Sequence, residues 1–297
     1  MLPIQSNCVR KVNDITLIAV ISLGSLGVLA AGVLYLASRK FKVIEDPRID
    51  IVAEKLPGVN CGGCGYAGCR ALAEVIIKTG SLDGIICPPG GNETIAEIAA
   101  ILGVKATTQE PTIAVVRCSG SGENAPAKVN FQGADSCAFA HILFAGSSGC
   151  PNGCLGCGDC VESCNFDAIY MDRTTGLPIV KDNCISCGAC IKACPRNIIE
   201  LRNRGKKDRR IFVSCINIQK GAIARKNCSV ACIGCARCVK ECKFDAITIK
   251  DNLAYIDYSK CTLCRKCPEV CPTKAIHELN FPPRKPKVKE AEKSISE

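Results

Sequence analysis

The chain carries the run C-x2-C-x2-C-x3-C four times, and this repeated spacing limits its fold more than any other feature. Residues 150–169 align with residues 228–247 without a gap, and each copy precedes a predicted short hairpin and a second run. The sequence therefore predicts two tandem modules, each with two runs.

The spacing of these runs is typical of dicluster ferredoxins, in which the fourth cysteine of each run ligates the other cluster. Three cysteines two residues apart hold one [4Fe–4S] cube, and the next helical turn carries the fourth to the neighbouring cube. Four ligand sets follow: Cys154, Cys157, Cys160 and Cys194 (set 2); Cys184, Cys187, Cys190 and Cys164 (set 3); Cys232, Cys235, Cys238 and Cys271 (set 4); Cys261, Cys264, Cys267 and Cys242 (set 5).

Zinc is the alternative metal. Zinc sites usually combine two separated C-x2-C pairs or add histidine. The chain has only two histidines, and its runs are continuous, so the sequence favours iron–sulfur clusters.

A glycine-rich loop at residues 60–69, NCGGCGYAGC, contains a formal G-x-G-x-x-G match. A dinucleotide site would need a strand before this loop, but Pro57 and Gly58 interrupt the chain there. Together with a later cysteine, the loop has the spacing C-x2-C-x4-C-x17-C, which suits a fifth [4Fe–4S] cluster. Its predicted ligands are Cys61, Cys64, Cys69 and Cys87 (set 1). Helices are predicted over 49–55, from Cys69 to Gly80, and over 94–102.

Six cysteines remain outside these five sets. Cys8 lies beside the apolar N-terminal segment and has no predicted role. Four of the other five could ligate a sixth cluster or exchange with the assigned ligands. The simpler interpretation is that these cysteines are buried thiols that bind no metal. These five are Cys118, Cys137, Cys150, Cys215 and Cys228, of which Cys150 and Cys228 are equivalent in the repeat.

The composition agrees with a metal-stabilised protein in a reducing compartment. Its 26 cysteines are grouped rather than spread, tryptophan is absent, and 4% of residues are aromatic. Small modules without a large apolar core commonly fold around metal, and dense thiols persist where the cell keeps them reduced. The formal charge of +10 would be cancelled by five clusters of about −2 each. We therefore expect no nucleic-acid partner, and no catalytic residues are recognised.

Residues 15–37 contain no charge over 23 positions, enough for one transmembrane helix. A signal peptide would have an apolar region of only about 7–15 residues. Because the thiols need a reducing compartment, we expect a single-pass protein of the inner (plasma) membrane. Its bulk would then lie on the cytoplasmic side.

The expected fold class is α+β. Its domains are a short extracytoplasmic tail (1–14), a transmembrane helix (15–37) and a small four-cysteine domain (38–110). A linker with extra cysteines (111–149) leads to the first ferredoxin-like module of βαβ pseudo-repeats (150–203). A basic connector (204–227), the second such module (228–280) and a basic tail (281–297) complete the chain.

The order of anchor, AEKLPGVNCGGCGYAGC, CPPGG and tandem ferredoxin motifs resembles the B subunit of Rnf ion-translocating oxidoreductases. The resemblance implies an electron-transfer subunit of an ion-pumping ferredoxin:NAD oxidoreductase, with no catalytic site of its own. It also implies soluble ferredoxin as electron donor, with a flavin- and NAD-binding subunit and integral membrane subunits as partners. Under it, sets 1 to 5 are the ligands of at least five [4Fe–4S] clusters.

Two features depart from the family pattern. Asn165 and Lys243 stand where ferredoxins normally have proline, and family members with two ferredoxin modules often lack a cysteine at the position of Cys157. The ligation of set 2 therefore stays open.

The rival function is a membrane-tethered polyferredoxin that serves a hydrogenase or a heterodisulfide-reductase-like complex. The basic segments 202–210 and 282–293 are either solvated or a landing surface for an acidic donor protein.

Overall fold

The computed structural model describes residues 5–40, 46–106, 108–130, 133–143 and 146–284. It divides into two compact units, Met1–Ile49 and Asp50–Glu297. The first unit contains one long helix, α1 (Gln5–Lys40). Its stretch Val20–Lys40 is long and apolar enough to cross a membrane, and at 1.5 Å per residue it spans about 31 Å. Its side chains are uncovered within the unit, with Leu29 and Leu36 each 67% exposed.

The four-cysteine domain is built from three short helices, α2 (Arg48–Lys55), α3 (Cys69–Thr79) and α4 (Gly91–Leu102). Their apolar faces form a small core that includes Val52, Leu72 and Ile98, each at most 1% exposed. Helix α3 ends at Gly80, whose positive φ of 62° lets its N–H return to the carbonyl of Ile76. The helices predicted here are confirmed, with α4 beginning three residues earlier than expected.

Each ferredoxin-like module contains two antiparallel strand pairs, two short helices that lie within the cysteine runs, and a third helix before the first run. The first module comprises β1 (Thr112–Val116), α5 (Cys137–Leu143), α6 (Asp159–Glu162), β2 (Ile169–Met171), β3 (Pro178–Val180), α7 (Ala189–Ala193) and β4 (Ile199–Asn203). The second comprises β5 (Arg210–Val213), α8 (Gly221–Asn227), α9 (Arg237–Glu241), β6 (Ile247–Lys250), β7 (Leu253–Ile256), α10 (Lys266–Val270) and β8 (Ile276–Leu279). A 3₁₀ turn at Lys206–Asp208 joins them.

The strand pairs connect the ends of each module. Strand β1 pairs with β4 and β5 with β8, while β2–β3 and β6–β7 form the predicted hairpins. Strand β1 lies in the segment 111–149, which the sequence suggested was a linker, and β5 lies in the expected connector 204–227. These apolar strands satisfy backbone groups that β4 and β8 would otherwise leave unpaired. Each module as folded therefore starts near residues 112 and 210.

Side chains from β1 and β4 join the two modules. Arg202, 2% exposed, lies over the rings of Tyr255 and Phe212 and binds Glu200 at 2.6 Å. Arg117 binds the same Glu200 at 3.1 Å and donates to the carbonyl of Cys215 at 3.3 Å. Glu200 thus orients the buried Arg202 and the half-buried Arg117 within the first module, and both guanidinium groups contact residues of the second module.

Candidate metal centres

Three of the predicted sets each line one cavity. Set 3 surrounds a cavity beside β3, set 5 surrounds one beside α10, and set 4 surrounds one beside β7. In each set the turns and helices α6, α7, α9 and α10 bring three cysteines of one run to the fourth cysteine of the other run. The structure thus places together the residues that the ferredoxin spacing grouped.

A fourth cavity is lined by Cys118, Cys150, Cys215 and Cys228, which we call set 6. These four belong to the five cysteines left over in the sequence, and they come from segments on both sides of the module boundary. A Cβ atom placed on Gly120 would lie 3.6 Å from the sulfur of Cys118 and 3.8 Å from that of Cys228. Gly120 therefore borders the space on which these two sulfurs converge.

Polar N–H groups point at the sulfurs of set 6. The backbone N–H groups of Gly120 and Cys154 each donate to Cys118 Sγ at 3.4 Å. The fully buried Asn217 donates its backbone N–H to Cys215 Sγ at 3.4 Å and its side-chain Nδ2 to Cys150 Sγ at 3.5 Å. Hydrogen bonds donated to sulfur favour the thiolate, which is the form that binds metal.

Set 2 contains a fifth sulfur. Burial raises the pKa of Cys154 to about 12, with Cys118 and Cys137 adding to the effect. Burial, the nearby Cys137 and a side-chain hydrogen bond with it raise the pKa of Cys157 to about 12. The pKa of Cys160 is raised to about 11, again by burial and then by Cys137 and Cys194. The Asp159 carboxylate, inside the run of set 2, accepts the Cys137 N–H at 2.7 Å, and Cys137 does not line the cavity of set 6. Cys137, one of the five leftover cysteines, therefore lies with set 2.

The N-terminal loop brings set 1 together around α3 and α4. Burial raises the pKa of Cys87, and the three other members of the set raise it further. Cys69 begins α3, and its N–H donates to Asn60 Oδ1 at 2.8 Å. Gly68 has a φ of +151°, and a Cβ there would meet the same Asn60 oxygen at 2.9 Å. Helix α2, not a strand, precedes the loop, so the G-x-G-x-x-G match lacks the context of a dinucleotide site.

Set 1 lies directly against set 3. A Cβ on Gly63, in the set 1 loop, would come within 2.9 Å of the carbonyl oxygen of Cys187. The pKa of Cys187 is raised by burial and also by the nearby Cys61. Set 3 in turn lies beside set 2, because helix α6 carries Cys160 of set 2 and ends two residues before Cys164 of set 3. Burial raises the pKa of Cys190, and Cys160 is among the cysteines that add to it.

The remaining sets continue this sequence of neighbours. The bond from the Cys154 N–H to Cys118 joins set 2 to set 6. Cys232 of set 4 lies close enough to Cys215 of set 6 to influence the raised pKa of the Cys215 thiol, which joins set 6 to set 4. Burial raises the pKa of Cys267 to about 12, and Cys238 of set 4 adds to it, which joins set 4 to set 5. The six sets therefore follow one another in the order 1, 3, 2, 6, 4 and 5.

The donor chemistry suits iron–sulfur cubes. The 25 described cysteines are free thiols, and those with raised pKa need a bound cation to lose their protons near neutral pH. A tetrahedral zinc site would place sulfurs about 3.8 Å apart. Among the described residues, no three His, Cys, Asp or Glu side chains form a group that could hold a single ion.

Two family models match segments of the chain that contain many of these cysteines. A model described as "4Fe-4S dicluster domain" matches residues 153–198 and 231–275, and one described as "Putative Fe-S cluster" matches residues 56–89. These segments include sets 1 to 5. They leave out all of set 6, as well as Cys137.

Curated relatives align along most of the chain. The B subunit of the ion-translocating oxidoreductase complex of Methanosarcina acetivorans is 40% identical over 86% of this chain and 95% of its own length. The chain belongs to the family of Rnf complex B subunits. The B subunit of the Na⁺-translocating ferredoxin:NAD⁺ oxidoreductase complex of Acetobacterium woodii is 44% identical, over 86% of this chain and 75% of its own. The proton-translocating counterpart of Clostridium ljungdahlii is 38% identical, over 86% and 89%.

Family membership confirms the resemblance drawn from the sequence, together with the α+β iron–sulfur architecture. As an Rnf B subunit, the chain is part of an oxidoreductase complex. What the sequence did not indicate is the set of polar groups around the cysteines. Asp159, Asn60 and Asn217 position thiols or donate to sulfur. The sequence offers one hint of this role for the two asparagines, which is that each lies within two residues of a cysteine.

Proposed function

We propose that the chain holds six [4Fe–4S] clusters and relays single electrons from reduced ferredoxin towards the NAD-reducing and membrane subunits of an Rnf complex. The observation that carries this proposal is the unbroken series of cysteine sets in the order 5, 4, 6, 2, 3, 1. Its relatives from A. woodii and C. ljungdahlii are named as subunits of ferredoxin:NAD⁺ oxidoreductases that move ions.

Each set would hold one cluster through its four thiolates, with set 6 formed by Cys118, Cys150, Cys215 and Cys228. Such clusters supply one-electron oxidation and reduction, at potentials set by burial and by hydrogen bonds to sulfur. The chain contributes both of these influences. Cys150, Cys215 and Cys228 are buried, and Asn217 donates two hydrogen bonds to sulfurs of set 6.

Set 6 gives the two modules a shared centre. Without it, the chain would hold two separate cluster pairs and a third site near the N-terminus. With it, set 2 of the first module and set 4 of the second each have a neighbouring set. Arg202, over the rings of Tyr255 and Phe212, and Arg117, which donates to the carbonyl of Cys215, hold the modules in this arrangement.

The two ends of the series differ in exposure. Cys264 of set 5 and Cys235 of set 4 are the two exposed cysteines among those the structure describes. Exposed lysines Lys243 and Lys260 lie next to set 5 in the sequence. Positive charge beside an accessible centre suits an acidic electron-donor protein, so set 5 is the proposed entry point for ferredoxin electrons.

Set 1 is the proposed exit. It follows the candidate membrane span by about twenty residues of sequence. The helix α1 would anchor the chain, and the remainder would lie on the cytoplasmic side, where reducing conditions preserve its thiols. Electrons would then reach partner subunits at the membrane through set 1.

Iron analysis of the anaerobically purified complex tests the cluster count. Six cubes give about 24 irons and as many sulfides per chain, against about 20 for five. Cys228→Ala should lower the iron content and stop ferredoxin-dependent NAD reduction, while Cys8→Ala, outside every set, should do neither. Cys61→Ala and Cys264→Ala should each abolish the same activity.

Two results would contradict the proposal. The first is an iron content of about 20 per chain in the wild-type protein, with iron content and activity unchanged in Cys228→Ala. This result would show that set 6 holds no cluster. A colourless protein without inorganic sulfide would remove the clusters altogether.

A further inference from the structure

The two modules differ in the connection that leads to their first cysteine run. In the first module this connection runs from β1, which ends at Val116, to Cys154. In the second it runs from β5, which ends at Val213, to Cys232, and it is about half as long. The additional length of the first connection includes helix α5, which begins at Cys137.

The start of α5 is tied to the cysteine run of set 2. The Asp159 carboxylate accepts the backbone N–H of Cys137 at 2.7 Å and that of Ala138 at 3.1 Å. It also accepts the hydroxyl of Ser136 at 3.1 Å. Asp159 lies between the second and third cysteines of the run, so it holds Cys137 beside them. The equivalent residue in the second module is Arg237, which cannot accept these bonds.

This tether holds Cys137 beside the run of set 2, close enough that Cys137 adds to the raised pKa of Cys157, Cys154 and Cys160. Set 2 therefore offers five sulfurs where a cube takes four. The equivalent of Cys157 in the second module is Cys235. It is exposed, and the cavity of set 4 is lined by four cysteines.

We propose that Cys137 and Cys157 share one iron corner of the cluster held by set 2, so that either thiolate can complete its ligation. This inference rests on the proposed iron–sulfur function. When Cys137 replaces Cys157, one iron–sulfur bond to the protein forms and one breaks. The proton lost by the Cys137 thiol passes to the Cys157 thiolate, and no iron changes oxidation state. Asp159 is the positioning residue that keeps the second donor within reach.

The test compares matched cysteine variants of the full chain in the anaerobically purified complex. The single variants are Cys157→Ala, Cys137→Ala and Cys235→Ala, and the double variant combines the first two. The readouts are iron and sulfide per chain, with the EPR signal expected of a cube that has lost one iron. Both first-module single variants should keep the wild-type iron content. Cys235→Ala, which has no second donor, should lose at least the iron of its corner.

The double variant should lose iron as Cys235→Ala does. Iron remaining at the other sets would show that the fold persists. The proposal is overturned if Cys157→Ala loses as much iron as Cys235→Ala, because Cys137 would then not replace it. Loss of iron from Cys137→Ala alone would also overturn it, since the corner would not be shared. Failure of the proposed function is distinct, because wild-type protein would then lack the iron and sulfide of the clusters.

Discussion

Replacing Gly63 by alanine tests whether set 1 is in direct contact with the first ferredoxin-like module. The added Cβ would lie 2.9 Å from the carbonyl oxygen and 3.0 Å from the Cα of Cys187, and 3.2 Å from Pro88 Cγ. Two of these atoms are backbone, so no side-chain rotation relieves the contact. Since ordinary contacts begin near 3.4 Å, the loops must separate by about 0.5 Å, an overpacking that typically costs about 1–3 kcal/mol.

The cost should be visible in two assays. At about 2–4 °C per kcal/mol for a domain of this size, unfolding of Gly63→Ala at a fixed heating rate should begin several degrees lower. Ferredoxin-dependent NAD reduction should slow, because set 1 moves away from set 3. Iron and sulfide per chain should stay unchanged, since no thiolate is removed.

Gly122→Ala is the matched control. A Cβ there meets nothing within 4 Å, and the residue does not have a positive φ. If Gly63→Ala and Gly122→Ala unfold at the same temperature and support the same rate, the set 1 loop does not rest on Cys187 in the native protein. The proposed exit from set 3 to set 1 would then lose its structural support.

Two further predictions concern the contacts between the modules. Arg202→Met removes the guanidinium that lies over Tyr255 and Phe212 of the second module and leaves Glu200 paired with Arg117. We therefore expect a loss of up to about 3 kcal/mol in the free energy of unfolding. An unchanged denaturant midpoint would contradict this. The second concerns His277, which contacts Ser119 Oγ at 3.0 Å and whose pKa is lowered by burial. Below its ordinary value of 6.5 the unfolded chain binds a proton that the folded chain does not, so stability should fall between about pH 7 and pH 5.5. His277→Gln should flatten that fall in a denaturant titration, and an equally steep fall in the variant would refute the assignment.

The sequence was most informative where the chemistry is local. Sets 3, 4 and 5 could be assembled on paper because a run of cysteines two residues apart, followed by one helical turn, limits where each sulfur can lie. The helices of the four-cysteine domain were equally accessible, since Gly80 and Gly103 end α3 and α4 in the left-handed conformation that favours glycine. In these cases the interacting residues are close in the chain.

Contacts across long sequence separations could not be obtained in this way. Strand β1 pairs with β4, which lies more than eighty residues later in the chain. Nothing in the β1 sequence, TIAVV, indicates which strand it pairs with. Strand β5 likewise pairs with the distant β8, and for that reason the segment 204–227 was expected to be only a connector. Set 6 is the clearest case, because its four cysteines come from four separate segments of the chain, far from one another in sequence. The sequence identified five candidate cysteines for an additional cluster. Only the folded structure shows that four of them line one cavity while Cys137 lies with set 2.

The position of set 6 also suggests why the repeat is more than a duplication. Cys150 and Cys228 are equivalent in the two copies, and Cys118 and Cys215 each follow the first strand of their module. Each module thus supplies the same two kinds of cysteine, and neither module alone has four. A centre built from both halves can exist only when the two are docked. Cluster formation at set 6 would therefore stabilise the junction that joins the two cluster pairs, since binding to the docked state alone shifts the equilibrium towards it.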